Sequence, residues 1–258
     1  MDFVTIKNIS YSYKTGPSLV VNNINWNIKR GEFHSLIGRS GCGKTTLLKI
    51  ISGLLYPTNG EVHIDSLEVT KPSFKIGFVF QAPTLLEWLS VLENIMLPLS
   101  IQKTNKSSQL QYGHSALKAV GLENFAYSFP SELSGGQQSR VAIARALITD
   151  PILLLMDEPF ANLDAITREE LQSDLLQLCA SKKTTVLFVT HDISEAVYLS
   201  DKIAVMADGL IHNEFIVDIT KPRKHNIRHE TSFNSLCLDI RKSMKTISSV
   251  SKFSDNLQ

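Results

Sequence analysis

The amino-acid sequence predicts an α/β fold in which a mostly parallel β-sheet is covered by helices on both faces. Short apolar runs at Phe33–Ile37, Ile152–Met156 and Thr185–Val189 alternate with longer stretches of helical periodicity. Buried strands separated by helices are typical of parallel sheets. The 258 residues are 43% apolar, with 26 Lys and Arg against 25 Asp and Glu. This composition excludes a disordered chain and gives no basic excess for binding nucleic acid.

The other elements follow from local patterns along the chain. Alternating apolar and polar residues at Phe3–Ile9 and Ile24–Ile28 predict two strands and suggest an additional N-terminal antiparallel sheet. A helix is predicted from Lys44 through Ser52, ending at Gly53. The remaining predicted strands are Glu61–Ile64, Ile76–Phe80 and Ile203–Met206, and the remaining predicted helices are Gln138–Thr149, Thr167–Ala180 and Ser194–Leu199.

The middle of the chain departs from this alternation. The period lengthens towards helix from Val91 to about Val120, with a polar interruption at Lys103–Gln111. A mainly helical segment inside an α/β pattern predicts a helical subdomain, at about residues 85–149, inserted into a domain that spans residues 1–220.

Residues 221–258 form a short basic C-terminal tail in this division. Lys221–Lys245 carries seven Lys and Arg against Glu230 and Asp239. The simpler interpretation is a solvated tail with one amphipathic helix. Docking near anionic lipid or a membrane partner is the alternative.

Several kinds of protein are excluded by what the sequence lacks. No apolar run approaches the ~18–20 residues of a membrane span, and Met1–Ser10 lacks the long apolar segment of a secretory signal. The widely spaced Cys42, Cys179 and Cys237 fit neither a disulfide framework nor a zinc knuckle. We therefore expect a protein of the cytoplasm with reduced thiols.

A glycine-rich loop carries the strongest functional signal. Gly38-Arg-Ser-Gly-Cys-Gly-Lys-Thr45 matches G-x-x-x-x-G-K-[ST] and lies between a predicted strand and a predicted helix, as this phosphate-binding motif requires. Glycines let backbone N–H groups surround phosphate at a helix N-terminus. Lys44 is expected to reach the β- and γ-phosphates, and Thr45 to bind Mg²⁺. The residues expected to bind ATP here are Gly38, Arg39, Ser40, Gly41, Cys42, Gly43, Lys44, Thr45 and Thr46.

The acidic pair after the strand Ile152–Met156 completes a nucleotide site. A buried strand delivers Asp157 at its carboxyl end, where open α/β sheets place their ligands. We expect Asp157 to hold Mg²⁺ through water, and Glu158 to accept a proton from the attacking water.

A second anion site is predicted at Leu133-Ser-Gly-Gly-Gln137. A Ser-Gly-Gly turn before a helix aims backbone N–H groups and a helix dipole at an anion. Because one complete phosphate loop is already present, the simplest account is that this segment serves a nucleotide held by another subunit. The prediction is a head-to-tail ATP sandwich of two such chains.

Together these motifs resemble those of the ATP-binding-cassette (ABC) ATPase family, and the resemblance covers roughly Phe3 to Gly209. Gly38–Thr45 resembles the Walker A motif, Ile152–Glu158 the Walker B motif and Leu133–Gln137 the family signature. The resemblance implies an ATPase that uses ATP and Mg²⁺. It also implies signature contacts to ATP from Ser134, Gly135, Gly136 and Gln137.

The resemblance assigns four further residues. Gln81 is similar to the Q-loop glutamine, which touches Mg²⁺ and the attacking water. Asp164, in Ala161-Asn-Leu-Asp164, is similar to the D-loop aspartate at the dimer interface. His191 is similar to the switch histidine that contacts the γ-phosphate. Tyr13 stands where an aromatic residue stacks on adenine, and Tyr11 is the alternative because it would share a strand face.

Within the ABC ATPase family, two segments of this sequence resemble the importer subfamily for nitrate, sulfonates and taurine. The segment Gln81–Asn94, with its Leu-Leu-x-Trp run, carries this likeness, and so does the short tail after Gly209, which has no room for a regulatory β-domain. The resemblance implies transmembrane permease subunits, a solute-binding protein and a second ATPase copy as partners, and a peripheral location on the cytoplasmic side of the membrane. Trp88, Leu89 and Leu92 are candidates for docking the permease, with core packing as the alternative.

Two other classes of function also use a phosphate loop. A soluble, non-transport ABC ATPase acting on nucleic acid or ribosomes is the alternative, but such proteins resemble tandem cassettes or cassettes split by coiled coils. A small-molecule kinase or GTPase would leave Leu133–Gln137 unexplained, and the sequence lacks an Asn-Lys-x-Asp guanine-reading motif. The predicted pocket of this chain binds ATP rather than the transported solute, so the sequence does not identify that solute.

Overall fold

The computed structural model describes residues 2–13 and 19–255, with side chains described up to residue 247 except at residue 225. Ten strands and seven α-helices are present in this part of the chain. The strands are β1 (Asp2–Tyr11), β2 (Val21–Lys29), β3 (Phe33–Ile37), β4 (Asn59–Ile64), β5 (Leu67–Glu68), β6 (Ile76–Val79), β7 (Leu153–Asp157), β8 (Thr185–Thr190), β9 (Lys202–Ala207) and β10 (Leu210–Ile216). The helices are α1 (Lys44–Ile51), α2 (Val91–Ile101), α3 (Lys106–Ala119), α4 (Gly135–Leu147), α5 (Ala165–Lys182), α6 (Ile193–Leu199) and α7 (Thr231–Asp255).

The chain forms two compact units, which are described separately. Unit 1 comprises residues 1–72 and 185–258, and unit 2 comprises residues 73–184. These boundaries differ from the division at residues 85–149 and 220 expected from the sequence, because unit 2 also includes the strands β6 and β7. The domain division expected from the sequence therefore stays a prediction.

The N-terminal strands of unit 1 form an antiparallel sheet in the order β2-β1-β4-β5. Val4 pairs with Ile28 on β2 and with Ile64 on β4. The apolar residues that alternate along β1 and β2 are buried, whereas their polar neighbours are mostly exposed. This alternation is what a sheet with one buried face requires, and the predicted N-terminal antiparallel sheet is confirmed.

A second group of strands in unit 1 is parallel and fully buried at its centre. β3 lies between β8 and β9 and pairs in parallel with both, while β10 pairs antiparallel with β9. Every residue of β3 and β8 is buried. Because their carboxyl ends lie at one edge, the loops that follow them are neighbours.

Unit 2 combines two parallel strands with a helical core. β6 pairs with β7, from Ile76 opposite Leu153 to Val79 opposite Met156. The helical part packs around a cluster of buried apolar side chains: Val91, Leu92, Ile95, Leu117, Val120, Leu122, Ala126, Leu133, Val141 and Ala144. The predicted α/β fold with an inserted helical portion is confirmed by this architecture.

Several element boundaries expected from the sequence were wrong. The polar interruption at Lys103–Gln111 is much shorter, because Asn105 caps α3 by accepting a hydrogen bond from the Ser107 N–H at 3.0 Å. The polar residues that follow lie mostly on exposed faces of that helix. α4 begins at Gly135 rather than Gln138, since a capping box starts the helix early. The strands β5 and β10 were missed because their side chains are mostly exposed.

For residues 221–258 the sequence predicted a solvated tail with one amphipathic helix; the structure contains this helix, α7, but its apolar face is buried rather than solvated. Ile227, Phe233 and Ile240 are buried, the last two on one face of α7. Arg223 is buried too, and its guanidinium donates to the Tyr198 carbonyl at 2.9 Å. The apolar spacing of an amphipathic helix was recognisable from the sequence, but the surface it covers was not. In the described part of the chain, no helix is long and apolar enough to cross a membrane.

Candidate functional site

The glycine-rich loop, Gly38–Thr45, connects β3 to α1 and depends on the absence of side chains at two positions. Gly43 has φ 105°, and a Cβ there would lie 2.4 Å from the Val20 carbonyl oxygen. A Cβ at Gly38 would lie 2.2 Å from the Met206 carbonyl oxygen. Only glycine fits such close backbone approaches without displacing them.

Lys44, the first residue of α1, is buried and turns its ammonium group back to the loop. Its Nζ donates to the carbonyl oxygens of Gly38, at 2.9 Å, and Arg39, at 3.0 Å. Both acceptors are neutral, so the loop holds a positive charge at a helix N-terminus, an arrangement that favours an anion. Burial raises the pKa of the neighbouring Cys42 thiol, with Lys44 acting in the opposite direction. Cys42 is therefore mainly a neutral thiol at pH 7.

Tyr13 lies beside the first turn of α1. Its hydroxyl oxygen is 3.2 Å from the Thr46 hydroxyl oxygen, within hydrogen-bond distance. The ring of Tyr11 meets that of Tyr13 edge to face, with centroids 5.0 Å apart and an angle of 89°. Tyr13 lies past the end of β1, so the two tyrosines do not share a strand face as expected. The structure brings Tyr13 to the loop, with Tyr11 supporting its ring.

His191 reaches the same edge of unit 1 through strand pairing. Ile37 of β3 pairs with Thr190 of β8 in parallel register, so Gly38 and His191 are the next residues on neighbouring strands. The Thr190 hydroxyl donates to a Glu195 carboxylate oxygen at 2.7 Å. On the other side of His191, Asp192 caps α6. The backbone that carries His191 is therefore anchored on both sides.

Unit 2 assembles three other predicted residues in the same way. Val79 of β6 pairs with Met156 of β7, and Gln81 and Glu158 each lie two residues beyond that pair. Asp157, the last residue of β7, is buried. Glu158 has φ 47°, a left-handed conformation that is uncommon for residues other than glycine and often marks functional sites. Gln81, Asp157 and Glu158 therefore lie at one edge of this strand pair.

The signature segment, Leu133–Gln137, forms a capped helix start. The Ser134 hydroxyl accepts a hydrogen bond from the Gln137 N–H at 3.3 Å, and the Gln137 side-chain oxygen accepts one from the Ser134 N–H at 2.9 Å. This capping box satisfies two backbone donors and fixes the first turn of α4. The N–H groups of Gly135 and Gly136 lie in that turn, where an anion would be stabilised.

Asp164 caps α5 next to the signature segment. Its carboxylate accepts a hydrogen bond from the Thr167 N–H at 3.0 Å, and hydrogen bonds from Thr167 lower the pKa of this carboxyl. A Cβ built at Gly136 would lie 2.5 Å from Thr167 Cγ2. Two motifs that are far apart in the sequence therefore meet in unit 2, the signature segment and the cap at Asp164.

The three candidate docking residues have different positions. Trp88 is exposed over 74% of its surface, and Leu89 is half-buried. Leu92 belongs to the buried core of the helical part, so its assignment to docking was wrong and core packing is its role. Leu92 follows the capped start of α2 and faces inward, as the periodicity of a buried helix face requires.

Sequence reasoning missed two polar residues that hold the loop after Gln81. Arg145 of α4 donates hydrogen bonds to Pro83 and Thr84, and Asn94 of α2 bonds to Leu86, Leu89 and Ser90. The available signals were an arginine inside the apolar run Val141–Leu147 and an asparagine between Glu93 and Ile95. Neither signal identifies a hydrogen-bond partner.

The oxygen donors at these positions fit magnesium better than a transition metal. Thr45, Gln81 and Asp157 offer hydroxyl, amide and carboxylate oxygens, the ligand types that Mg²⁺ takes beside substrate phosphates. Among the described residues, no group of three or more His, Cys, Asp or Glu could hold a metal ion.

Comparison with known proteins gives consistent matches. A family model described as ABC transporter matches residues 21–161. The aliphatic sulfonates import ATP-binding protein of Bacillus cereus is 47% identical over 227 residues, covering 86% of this chain and 89% of that protein. A bicarbonate transport ATP-binding protein of Synechocystis sp. is 43% identical over 211 residues, covering 80% of this chain and 75% of that protein.

A solved structure agrees with the sequence matches. A dimeric ATP-binding cassette, described in a post-hydrolysis state with bound ADP and Pi, aligns with a TM-score of 0.76 at 39% identity. The alignment covers 84% of this chain and 100% of that chain.

Proposed function

The chain belongs to the ABC transporter family, and from this premise we propose that it is the ATP-binding and ATP-hydrolysing subunit of an importer for a small solute. The observation that carries the proposal is the presence in one chain of two anion-binding helix starts. One is the glycine-rich loop before α1, and the other is the capped signature segment before α4. A single nucleotide site needs only the first, so the second indicates a site completed by another copy.

Unit 1 supplies the groups that bind ATP. The backbone of Gly38–Thr45 surrounds the phosphates, and Lys44 turns from its loop carbonyls to the β- and γ-phosphates. Thr46 covers the α-phosphate, and the ring of Tyr13, held beside Thr46, stacks on adenine. His191, placed next to Gly38 by strand pairing, contacts the γ-phosphate.

Unit 2 supplies the groups that act on the attacking water. Glu158 accepts its proton, because a carboxylate held at a strand end can serve as a general base. Thr45, Asp157 (through water) and Gln81 are the residues that would hold Mg²⁺. When bound, Mg²⁺ neutralises charge on the phosphate oxygens. Gln81 also orients the attacking water.

Two copies bind ATP at their shared interface. Ser134 and Gly136 of one copy contact the γ-phosphate held by the other, with Asp164 crossing the same interface. ATP stabilises the closed dimer and hydrolysis releases it, which is a population shift that can move attached membrane subunits. The dimeric cassette among the solved structures supports this assembly.

The chain acts at the cytoplasmic face of a membrane, with permease subunits and a solute-binding protein as partners. The importer ATPases among its relatives support this proposal, and their names include aliphatic sulfonates and bicarbonate. Trp88, which is exposed over 74% of its surface, is the candidate side chain that would contact a permease. A soluble ATPase acting on nucleic acid or ribosomes is not favoured by any of these relatives.

Fractionation and affinity capture test the importer proposal. The tagged chain, expressed in its native cell, is expected in the membrane fraction and is expected to capture an integral membrane protein. Trp88→Ala should weaken that capture, while the nearby exposed Glu87→Ala serves as the matched control. Recovery with ribosomes or DNA and no association with membranes would overturn the proposal.

A further inference from the structure

The loop that follows Gln81 is held at its start by an arginine from another helix. The Arg145 guanidinium, near the end of α4, donates to the Pro83 carbonyl oxygen at 2.7 Å and to the Thr84 carbonyl oxygen at 2.9 Å. It also donates to the Thr84 hydroxyl at 3.1 Å. Three hydrogen bonds from one planar group fix both the position and the orientation of this backbone.

The other end of the loop is held by Asn94, which is fully buried in α2. Its side-chain oxygen accepts from the Leu86 N–H at 2.8 Å. Its amide donates to the carbonyl oxygens of Leu86, Leu89 and Ser90 at 3.0–3.1 Å. The segment 82–90 is therefore fixed at two points, and its exposed Trp88 lies near the second.

The arginine anchor is half-buried. Burial lowers the pKa of Arg145. Thr84 has φ 47°, a conformation that β-branched residues rarely adopt. Such a backbone persists only where its surroundings determine it, and the Arg145 bonds to Pro83 and Thr84 supply that constraint.

We propose that Arg145 is a positioning residue for hydrolysis, which holds Gln81 in place by tying residues 83–84 to helix α4. Gln81 lies two residues before the first carbonyl that Arg145 binds, in a short stretch between the end of β6 and that anchor. A displacement of Pro83 is therefore passed directly to Gln81. The inference rests on the proposed function, since it assigns Gln81 to the attacking water.

The same bonds connect Gln81 to the signature segment. Ser134 caps the first turn of α4, and Arg145 lies in its last turn, about 16 Å away along the axis at ~1.5 Å per residue. A helix transmits a tilt along its length as a rigid body. The helix therefore connects the proposed contact of Ser134 with a nucleotide on another copy to the loop that carries Gln81.

Replacement of Arg145 by lysine tests the proposal. Lysine keeps the charge and much of the length but loses the planar fork that binds two consecutive residues. We expect Arg145→Lys to lower the kcat of Mg²⁺-dependent ATP hydrolysis about 10- to 100-fold, as a misplaced catalytic group does. The KM for ATP should change by less than about threefold, because the phosphate loop lies in unit 1.

A double-mutant cycle separates positioning from a general structural role. In a Gln81→Ala background, Arg145→Lys should cause no further loss of single-turnover rate, because its effect passes through Gln81. The matched control is Arg140→Lys, which alters another α4 arginine that donates to Asp174 at 2.6 Å and to the Val120 carbonyl. Any effect of this control should be the same with and without Gln81.

The results that would overturn the positioning role of Arg145 differ from those that would overturn the proposed function. An unchanged kcat in Arg145→Lys, or an equal loss in the Gln81→Ala background, overturns the positioning role while wild-type ATPase activity stands. A fall in thermal stability with kcat unchanged at a lower assay temperature also overturns it. Absence of ATPase activity in the wild-type chain overturns the proposed function itself.

Discussion

The glycine-rich loop of unit 1 and the signature segment of unit 2 both present backbone N–H groups at a helix start, yet they are built differently. The first is shaped by missing side chains, since Gly38 and Gly43 lie against the Met206 and Val20 carbonyls. The second is shaped by side chains, since Ser134 and Gln137 cap each other's backbone.

The difference determines how each site responds to change. A loop confined by backbone neighbours cannot relax around an added methyl group, so a small change has a large effect. A capping box can lose one hydrogen bond while the helix persists, so substitutions in it should reduce stability by small steps. This suits a segment that engages a second copy reversibly, and four substitutions, ordered by expected effect, test the comparison.

Substitution in the glycine-rich loop should have the largest effect. Gly43→Ala forces an alanine into a left-handed conformation, which costs about 1–2 kcal/mol. Its methyl group also collides with the Val20 carbonyl, which costs about 1–3 kcal/mol. We expect the Kd for ATP, measured with a fluorescent analogue, to rise about 100-fold. Gly41→Ala is the control, because among the described residues no atom lies within 4 Å of a Cβ there, although φ is +83°. An equal loss in both variants would show that conformation, rather than close approach, governs the loop.

The contact between Gly136 and Thr167 should give an intermediate effect. Gly136→Ala places a methyl group 2.5 Å from Thr167 Cγ2, which belongs to a stiff β-branched side chain. Overpacking should lower the free energy of unfolding by about 1–2 kcal/mol, measured by urea denaturation. Thr167→Ser removes the colliding methyl group and should restore most of the loss. If Thr167→Ser does not rescue Gly136→Ala, the two helix starts are not in the contact described.

Loss of the cap at Ser134 should have a smaller effect. Ser134→Ala removes the acceptor for the Gln137 N–H and should lower the free energy of unfolding by about 1 kcal/mol. Ser134→Gly should cost only a few tenths of a kcal/mol, since glycine leaves the cap open to water. The two variants are compared by thermal denaturation of the nucleotide-free protein. Equal losses would argue against capping as the role of the hydroxyl.

Acid titration of the Asp164 cap should have the smallest effect. Its pKa is lowered from the ordinary value of 3.8, mainly by hydrogen bonds from Thr167. The stability it contributes is therefore present above about pH 4 and is lost as the pH falls through the lowered pKa. Asp164→Asn keeps a capping oxygen without the charge. The stability difference between wild type and this variant should shrink below about pH 4, and a difference that grows there would contradict the assignment.

The sequence predicted the parts of the fold and site that depend on local patterns. The strands β3 and β8 are mostly apolar runs. The glycines at Gly38 and Gly43 allow the close backbone approaches that shape the loop. His191 was assigned through the resemblance and its position after a predicted strand, whereas the pairing of β3 with β8 that brings it next to Gly38 was not predicted.

The parts that the sequence did not predict are contacts between distant residues. Nothing local to Gly136 indicates Thr167 as its neighbour, and nothing local to Arg145 indicates the carbonyls of Pro83 and Thr84. The burial of Phe233 was missed for the same reason. Burial depends on which surface a helix covers, and that surface comes from elsewhere in the chain.

The central claim is that one chain carries both a phosphate loop for its own ATP and a signature segment that completes the ATP site of a second copy, and Glu158→Gln tests it most directly. Size-exclusion chromatography with Mg²⁺ and ATP, together with turnover measurement, gives both readouts. We predict an ATP-dependent dimer with ATP binding retained and a turnover about 100-fold or more below wild type, in line with loss of a general base. Wild-type turnover, or a monomer that binds ATP without dimerising, would contradict the account.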